Sequence, residues 1–412
     1  MKIMFAVQGD GRGHMTQAIA ASHLLEAEGH EIVAVTVGTN PSRKLPDFFT
    51  QAFGERVIPI ESPGFSFQAG KGVTTAGTLR QAVVGLHRYR QSLRILQATL
   101  DKTQPDLLIN FLEPLVGVFN LLHRHPVPAI SVGHQYMLEH PEFVRCRKFA
   151  LQQWTMRHYV RLTGARSTRF ALSFYPASSQ PERRLYVGPP LLRQELFQLQ
   201  SEPKGRFLLA YVLNQGYTEE ILKWHTENRG VELHCFCEKP KVEPVWRYDA
   251  TLWFHKLDGK KFLRMMAESR GVATTAGFES LNEAAWLGKP LLVVPVANHI
   301  EQYLNALDAE KAGLATAATH FDLTPLLAAP LPSRFGPYRD WVKQAGPALL
   351  SVCEQVTHRP LHRLISVATP PAAAHSLLAP QTVRHLLAAH SADKSADTPL
   401  PAVSSHAAAS RC

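Results

Sequence analysis

His14, Ser280 and Glu283 stand where glycine turns meet helical patterns, Glu301 and Gln302 stand past a buried strand, and their side chains suit proton transfer and ligand binding. His14 ends the run Gly9-Asp10-Gly11-Arg12-Gly13-His14. An imidazole titrates close to neutrality, which makes it the most efficient proton acceptor at ordinary pH. Ser280 and Glu283 follow the turn Ala276-Gly277-Phe278 at a spacing that puts both on one helix face. A helix start of this kind turns its N–H groups and its positive end toward an anion. Glu301 and Gln302 come just after a buried strand, where ligands of open α/β sheets sit.

The elements that must hold these residues are legible around them. Lys2 to Val7 is a short apolar run that leads into the glycine loop and then into a helical pattern, Ala18, Ile19, Ala20, Leu24 and Leu25. Leu291 to Val296 is continuous and apolar, as a strand covered on both faces in a parallel sheet must be. Structural readings compete at each point. Ser280 to Glu283 also fits a capping box, and Gly288-Lys289-Pro290 reads as a helix stop followed by a strand start. The N-terminal loop raises a dinucleotide site as a rival. That rival lacks the third glycine, and Gly38-Thr39-Asn40 ends the second strand without an acid for a ribose.

Residues 274–306 and the first thirty or so residues together resemble the two-domain glycosyltransferases known as GT-B. The likeness is to inverting UDP-sugar transferases, including the branch of the lipid-linked N-acetylglucosaminyltransferase of peptidoglycan synthesis. The resemblance implies an α/β fold of two Rossmann-like domains facing each other across a cleft. It implies diphosphate contacts from Gly277 with Ser280, ribose contacts from Glu283, and sugar contacts from Glu301 with Gln302, with Asn305-Ala306 completing the pattern and Phe278 and His299 also expected at the donor. The Gly13-His14 pair matches the loop that carries the catalytic base, and Gly13 and Asn214 fall on glycine loops facing the donor. His255 and Leu257 are placed near the nucleobase by position alone. Many relatives orient the histidine with an aspartate about a hundred residues on. Asn110 or Phe111 occupies that place here, so Glu113 is the substitute, with capping of the next helix as its alternative reading. The leaving diphosphate is served by a helix N-terminus, and no D-x-D pair is present for a magnesium ion. The expected co-substrate is a nucleotide sugar, UDP-linked on the resemblance, with no further cofactor and no metal.

Length and composition fit this reading. A chain of 412 residues suits two α/β units. The expected division is an acceptor-binding domain over 1–195, a nucleotide-sugar domain over 205–365 and an Ala/Ser/Pro/His-rich, largely disordered tail over 366–412. No apolar run reaches the roughly 20 residues of a transmembrane helix, no signal peptide is evident, and the five cysteines lack ligand spacing. A cytoplasmic, reduced location is expected.

Charge is concentrated. No acid occurs between Phe143 and Pro181, whereas Arg145, Arg147, Arg157, Arg161, Arg166 and Arg169 do, interleaved with Trp154 and Tyr159. Such a surface suits anionic headgroups or a phosphorylated acceptor, and hence peripheral membrane contact, or is simply a solvated helix face. No helix-turn-helix, RNP or zinc-finger pattern points to nucleic acid. Besides inverting transfer to an acceptor hydroxyl, a UDP-sugar epimerase of the same fold and a non-catalytic binding module at a membrane surface are the alternatives.

Overall fold

The computed structural model describes residues 1–39, 44–63, 67–68, 71–73, 86–123, 127–147, 149–202, 205–212, 215–237, 244–328 and 335–358. Asn214 and the tail 366–412 lie outside them. Strands and helices alternate, which is the pattern that builds parallel sheets. The first sheet takes β1 (Lys2–Gln8), β2 (Glu31–Thr39) and β3 (Val57–Glu61). A separate two-stranded ribbon, β4 (Phe67–Gln68) and β5 (Lys71–Val73), comes next in the chain. β6 (Leu107–Phe111), β7 (Ala129–Gly133), β8 (Thr168–Leu172) and β9 (Leu185–Gly188) complete the first sheet. The second sheet takes β10 (Leu208–Val212), β11 (Leu233–Cys237), β12 (Val245–Arg247) and β13 (Leu252–Lys256). It is completed by β14 (Gly271–Thr274), β15 (Leu291–Val293) and β16 (Thr316–Ala317).

The seven-stranded sheets run β3-β2-β1-β6-β7-β8-β9 and β12-β13-β11-β10-β14-β15-β16, and they share one winding apart from the edge strands β9 and β12. All pairs are parallel except β12 with β13. Parallel sheets must be covered on both faces, and Ile3 to Val7 are accordingly inaccessible along their whole run. Each sheet reverses its winding once, between β1 and β6 and between β10 and β14. At such a reversal the two connections leave on opposite faces and open a crevice past the carboxyl ends. The glycine loop before His14 and the turn at Gly277 occupy these two positions.

Two boundaries differ from expectation. The apolar run at Leu291 is a strand only as far as Val293, because Pro295 has no N–H to carry the ladder further. The helix Ala345–Thr357, assigned by position to the C-terminal unit, packs instead against β7, β8, β9 and the helix Arg12–Ala27. Both sheets therefore lie in one compact unit. Gly288 does end a helix, at φ 72°, the left-handed conformation that costs glycine least. Lys289 beyond it is buried, and its ammonium donates to the carbonyls of Glu202 (2.7 Å) and Ser269 (2.8 Å). Burial pulls its pKa down to about 8.

Candidate active site

The first crevice is shaped by backbone proximity. Gly9 N–H donates to Gly38 O at 2.8 Å, and a side chain at Gly9 would run into that carbonyl. The helix Arg12–Ala27 starts at Gly11 without a side-chain cap, so His14 sits in its first turn. His14 is half-buried, and its Nδ1 lies 3.4 Å from Gln17 Oε1. Burial lowers its pKa below 6.5, with the Glu301 charge and the Gln17 bond pulling the other way. The imidazole is thus neutral at neutral pH, the form that accepts a proton.

Glu113 is not hydrogen-bonded to His14. It is fully buried as the N-cap of the helix Pro114–Leu122, with Oε1 accepting from Ser62 Oγ (2.5 Å) and Leu115 N–H (3.0 Å). Its carboxyl lies over Gly38, where any Cβ would collide with it. Desolvation outweighs those bonds and pushes its pKa up to about 7. Asn110, at the place expected to be acidic, brackets the same turn by accepting from Glu113 N–H at 2.8 Å and donating to Thr163 O at 3.0 Å. The capping alternative for Glu113 therefore holds.

In the second crevice Gly277 is the N-cap of the helix Phe278–Trp286 and supplies no side-chain bond to it. Ser280 lies inside that first turn rather than at its cap, and its hydroxyl donates to Gly277 O at 3.0 Å. The capping-box reading of Ser280 and Glu283 falls with this placement. Phe278 is buried in a stack on His134, ring centroids 4.2 Å apart and planes at 18°. Glu283 is buried and receives Arg193 Nε at 2.6 Å, from the segment that joins the two sheets. Glu279 reaches the other way, toward Gly13, and accepts from Gln17 Nε2.

His299 caps the helix Ile300–Lys311 by accepting Gln302 N–H at 3.4 Å. Gln302 Oε1 accepts Val296 N–H at 2.9 Å and so fixes the turn that follows β15. Glu301 is half-buried and accepts Gln135 Nε2 at 2.9 Å, from the turn after β7. Burial, with smaller contributions from the charges of Glu283 and Glu301, raises the Glu279 carboxyl to about 7, against the Gln17 bond. His14, Glu279 and Glu301 thus meet across the crevice. His255 does not join them. It is buried on β13, bonded to His234 Nδ1 at 2.8 Å and stacked on Phe236, and burial, Lys261 and His234 lower its pKa to about 4. Leu257 beside it is half-buried.

Two reversal-point crevices that present a neutral histidine, an uncapped helix start and carboxylates match a recognised pattern over most of the chain, since the family model for glycosyl transferase family 1 covers residues 1–328. The chain belongs to glycosyl transferase family 1. No curated protein matches it. Among solved structures it is similar to UGT2 of Phytolacca americana complexed with UDP-2fluoro-glucose and pterostilbene, at 13% identity and a TM-score of 0.56, covering 86% of this chain and 99% of that one. It is also similar to the calicheamicin glycosyltransferase CalG4, at 15% identity and a TM-score of 0.55, over 86% and 97% of the two chains. The glycosyltransferase SnogD from Streptomyces nogalater aligns at 15% identity with a TM-score of 0.52, over 87% and 99%. The fold of this family 1 member is GT-B, and it is a glycosyltransferase.

Sequence reasoning missed Gln17, Gln135, Arg193 and Glu279. Glu279 carried a signal, an acid within the first turn of a helix expected to face an anion. Gln17 lies three residues after His14, on the same helix face. Gln135 and Arg193 carried none, because only the folded chain brings them to Glu301 and Glu283.

Proposed function

We propose that this family 1 member transfers a sugar from a UDP-linked donor to an acceptor hydroxyl with inversion, His14 taking the hydroxyl proton. The observation that carries the reading is the neutral, half-buried His14 in the β1 crevice, close enough to Glu301 to feel its charge. In the reaction the acceptor oxygen attacks the anomeric carbon as the diphosphate departs from the opposite face, and His14 Nε2 receives the proton. The start of the helix Phe278–Trp286, with the Ser280 hydroxyl, takes the charge that grows on the diphosphate without needing to reorganise. Glu301 and Gln302 hold sugar hydroxyls, and Glu283 the ribose once Arg193 yields part of its hold.

The acceptor side is proposed to face a lipid surface. The helix Ala150–Thr163 exposes Leu151, Trp154 and Leu162 along one side. At its C-terminal end Arg161, Arg166, Arg169, Arg183 and Arg184 line a hollow of about 450 Å³ that holds one acid, Glu139. Exposed apolar side chains with arginines at one end of the same helix suit an anionic headgroup layer. Among the described residues no helix is long and apolar enough to cross a membrane.

The donor test is direct. The protein is incubated with UDP-glucose and UDP-N-acetylglucosamine while UDP release and isomerised UDP-sugar are both followed, and His14→Ala and Glu301→Ala are run beside it. UDP release abolished in His14→Ala is expected. Failure of UDP to bind in calorimetry would sink the donor assignment, isomerised UDP-sugar without UDP release would favour epimerisation, and turnover untouched by His14→Ala would remove the base.

A further inference from the structure

Asn110 and Glu113 are both spent on the turn that caps the helix Pro114–Leu122, so neither sets the tautomer of His14. The structure supplies another route. Gln17 Oε1 faces His14 Nδ1 at 3.4 Å, and Gln17 Nε2 donates to Glu279 Oε1. Gln17 is buried at 2% exposure, so water does not compete for its amide. We propose that Gln17 and Glu279 are positioning residues that fix which nitrogen of His14 is free to accept a proton, with Glu279 reaching in from the opposite half of the cleft.

The orientation follows from which atoms can donate. Glu279 Oε1 accepts from the Gln17 amide, whose NH₂ group therefore faces Glu279 while its oxygen faces His14. An amide oxygen only accepts, so Nδ1 must carry the proton and Nε2 is left with the lone pair. The bond to Nδ1 favours the imidazolium that forms as the acceptor is deprotonated. Without Glu279 the amide is free to reverse, offering NH₂ to Nδ1 and moving the imidazole proton to Nε2, the nitrogen that has to act as base. Glu279 belongs to the helix Phe278–Trp286 and Gln17 to the helix Arg12–Ala27. The base is therefore set only while the donor half is closed on the acceptor half, which couples proton acceptance to assembly of the donor site.

This inference rests on His14 acting as the base, and its test separates the two claims. In protein labelled with ¹⁵N-histidine, the ring shifts of His14, assigned by loss of its signal in His14→Ala, report the tautomer with no turnover required. Nδ1–H is expected in the native protein, with a change toward Nε2–H in Glu279→Leu and restoration in Glu279→Gln, whose carbonyl still accepts from Gln17. With UDP-glucose or UDP-N-acetylglucosamine, whichever the native protein turns over, kcat for UDP release should fall about tenfold in Gln17→Leu and in Glu279→Leu. Donor KM should stay within about twofold, and the double variant should be no worse than either single one. The acid limb of the kcat profile should move to lower pH in Gln17→Leu, because the bond that raises the His14 pKa is gone. A native Nε2–H tautomer, or losses confined to KM with an unmoved pH profile, would overturn the relay and leave the base standing. Native turnover in His14→Ala would remove the base and the relay together.

Discussion

Glu113 offers a sharp test of the buried-carboxyl reasoning, through the substitution Glu113→Gln. The native side chain is fully buried, its Oε2 has no hydrogen-bond partner, and its pKa is pushed from 4.5 to about 7 by desolvation ahead of its bonds to Ser62 and Leu115. A folded state that holds the proton more tightly than the unfolded chain gains stability below pH 4.5 and loses it as pH rises to about 7. Each tenfold change in acidity is worth about 1.4 kcal/mol, so the loss across that window is about 3 kcal/mol. Glutamine keeps a carbonyl for Ser62 and Leu115 but carries no titrating proton. Its unpaired NH₂ adds a constant cost of about 1 kcal/mol. Urea unfolding of both proteins at a series of pH values gives the native-minus-variant difference, in which the contributions of Glu279 and Asp308, also raised to about 7, cancel. The native protein should be the more stable at pH 4.5 and should lose that advantage by about pH 7, where the variant overtakes it. A difference that stays flat over the whole range would refute the reasoning.

Two further outcomes follow from the same physics. Arg193→Met leaves the Glu283 carboxylate buried and unpaired and should cost about 3 kcal/mol, whereas Arg193→Met with Glu283→Leu should cost clearly less than the sum of the two single changes; strict additivity in urea unfolding would show that the pair does not interact. On vesicles of phosphatidylglycerol and phosphatidylcholine, Arg161→Glu with Arg183→Glu should reduce sedimentation at least tenfold relative to native protein, at about 1 kcal/mol per lost basic contact, and equal binding to purely neutral vesicles would remove the lipid-surface proposal.

The helix Phe278–Trp286 illustrates how far sequence carried. The glycine turn before it and the buried strand after it were both legible, because each is written in the local pattern of one segment. The roles of its side chains were only partly so. Ser280 and Glu283 kept the spacing of a capping box, and only the observed start at Phe278 removed that reading. Glu113 went the other way, since its local pattern as a cap before Pro114 proved the stronger guide than its analogy to an orienting acid. His255, placed near the nucleobase by position, is stacked on Phe236 and bonded to His234 within its own sheet, contacts that no local pattern announced.

The sequence by itself determined the two parallel sheets, the glycine loops at their edges and the type of chemistry His14 is suited to, since apolar periodicity and glycine placement act over a few residues. Tertiary structure decided which polar groups meet. Gln17 lies 262 residues from Glu279, and Gln135 lies 166 from Glu301. Hydrogen bonds over such separations depend on how two sheets close on one another, and no local pattern encodes that. The same closure desolvates His14 and leaves it neutral beside the carboxylates of the opposite half.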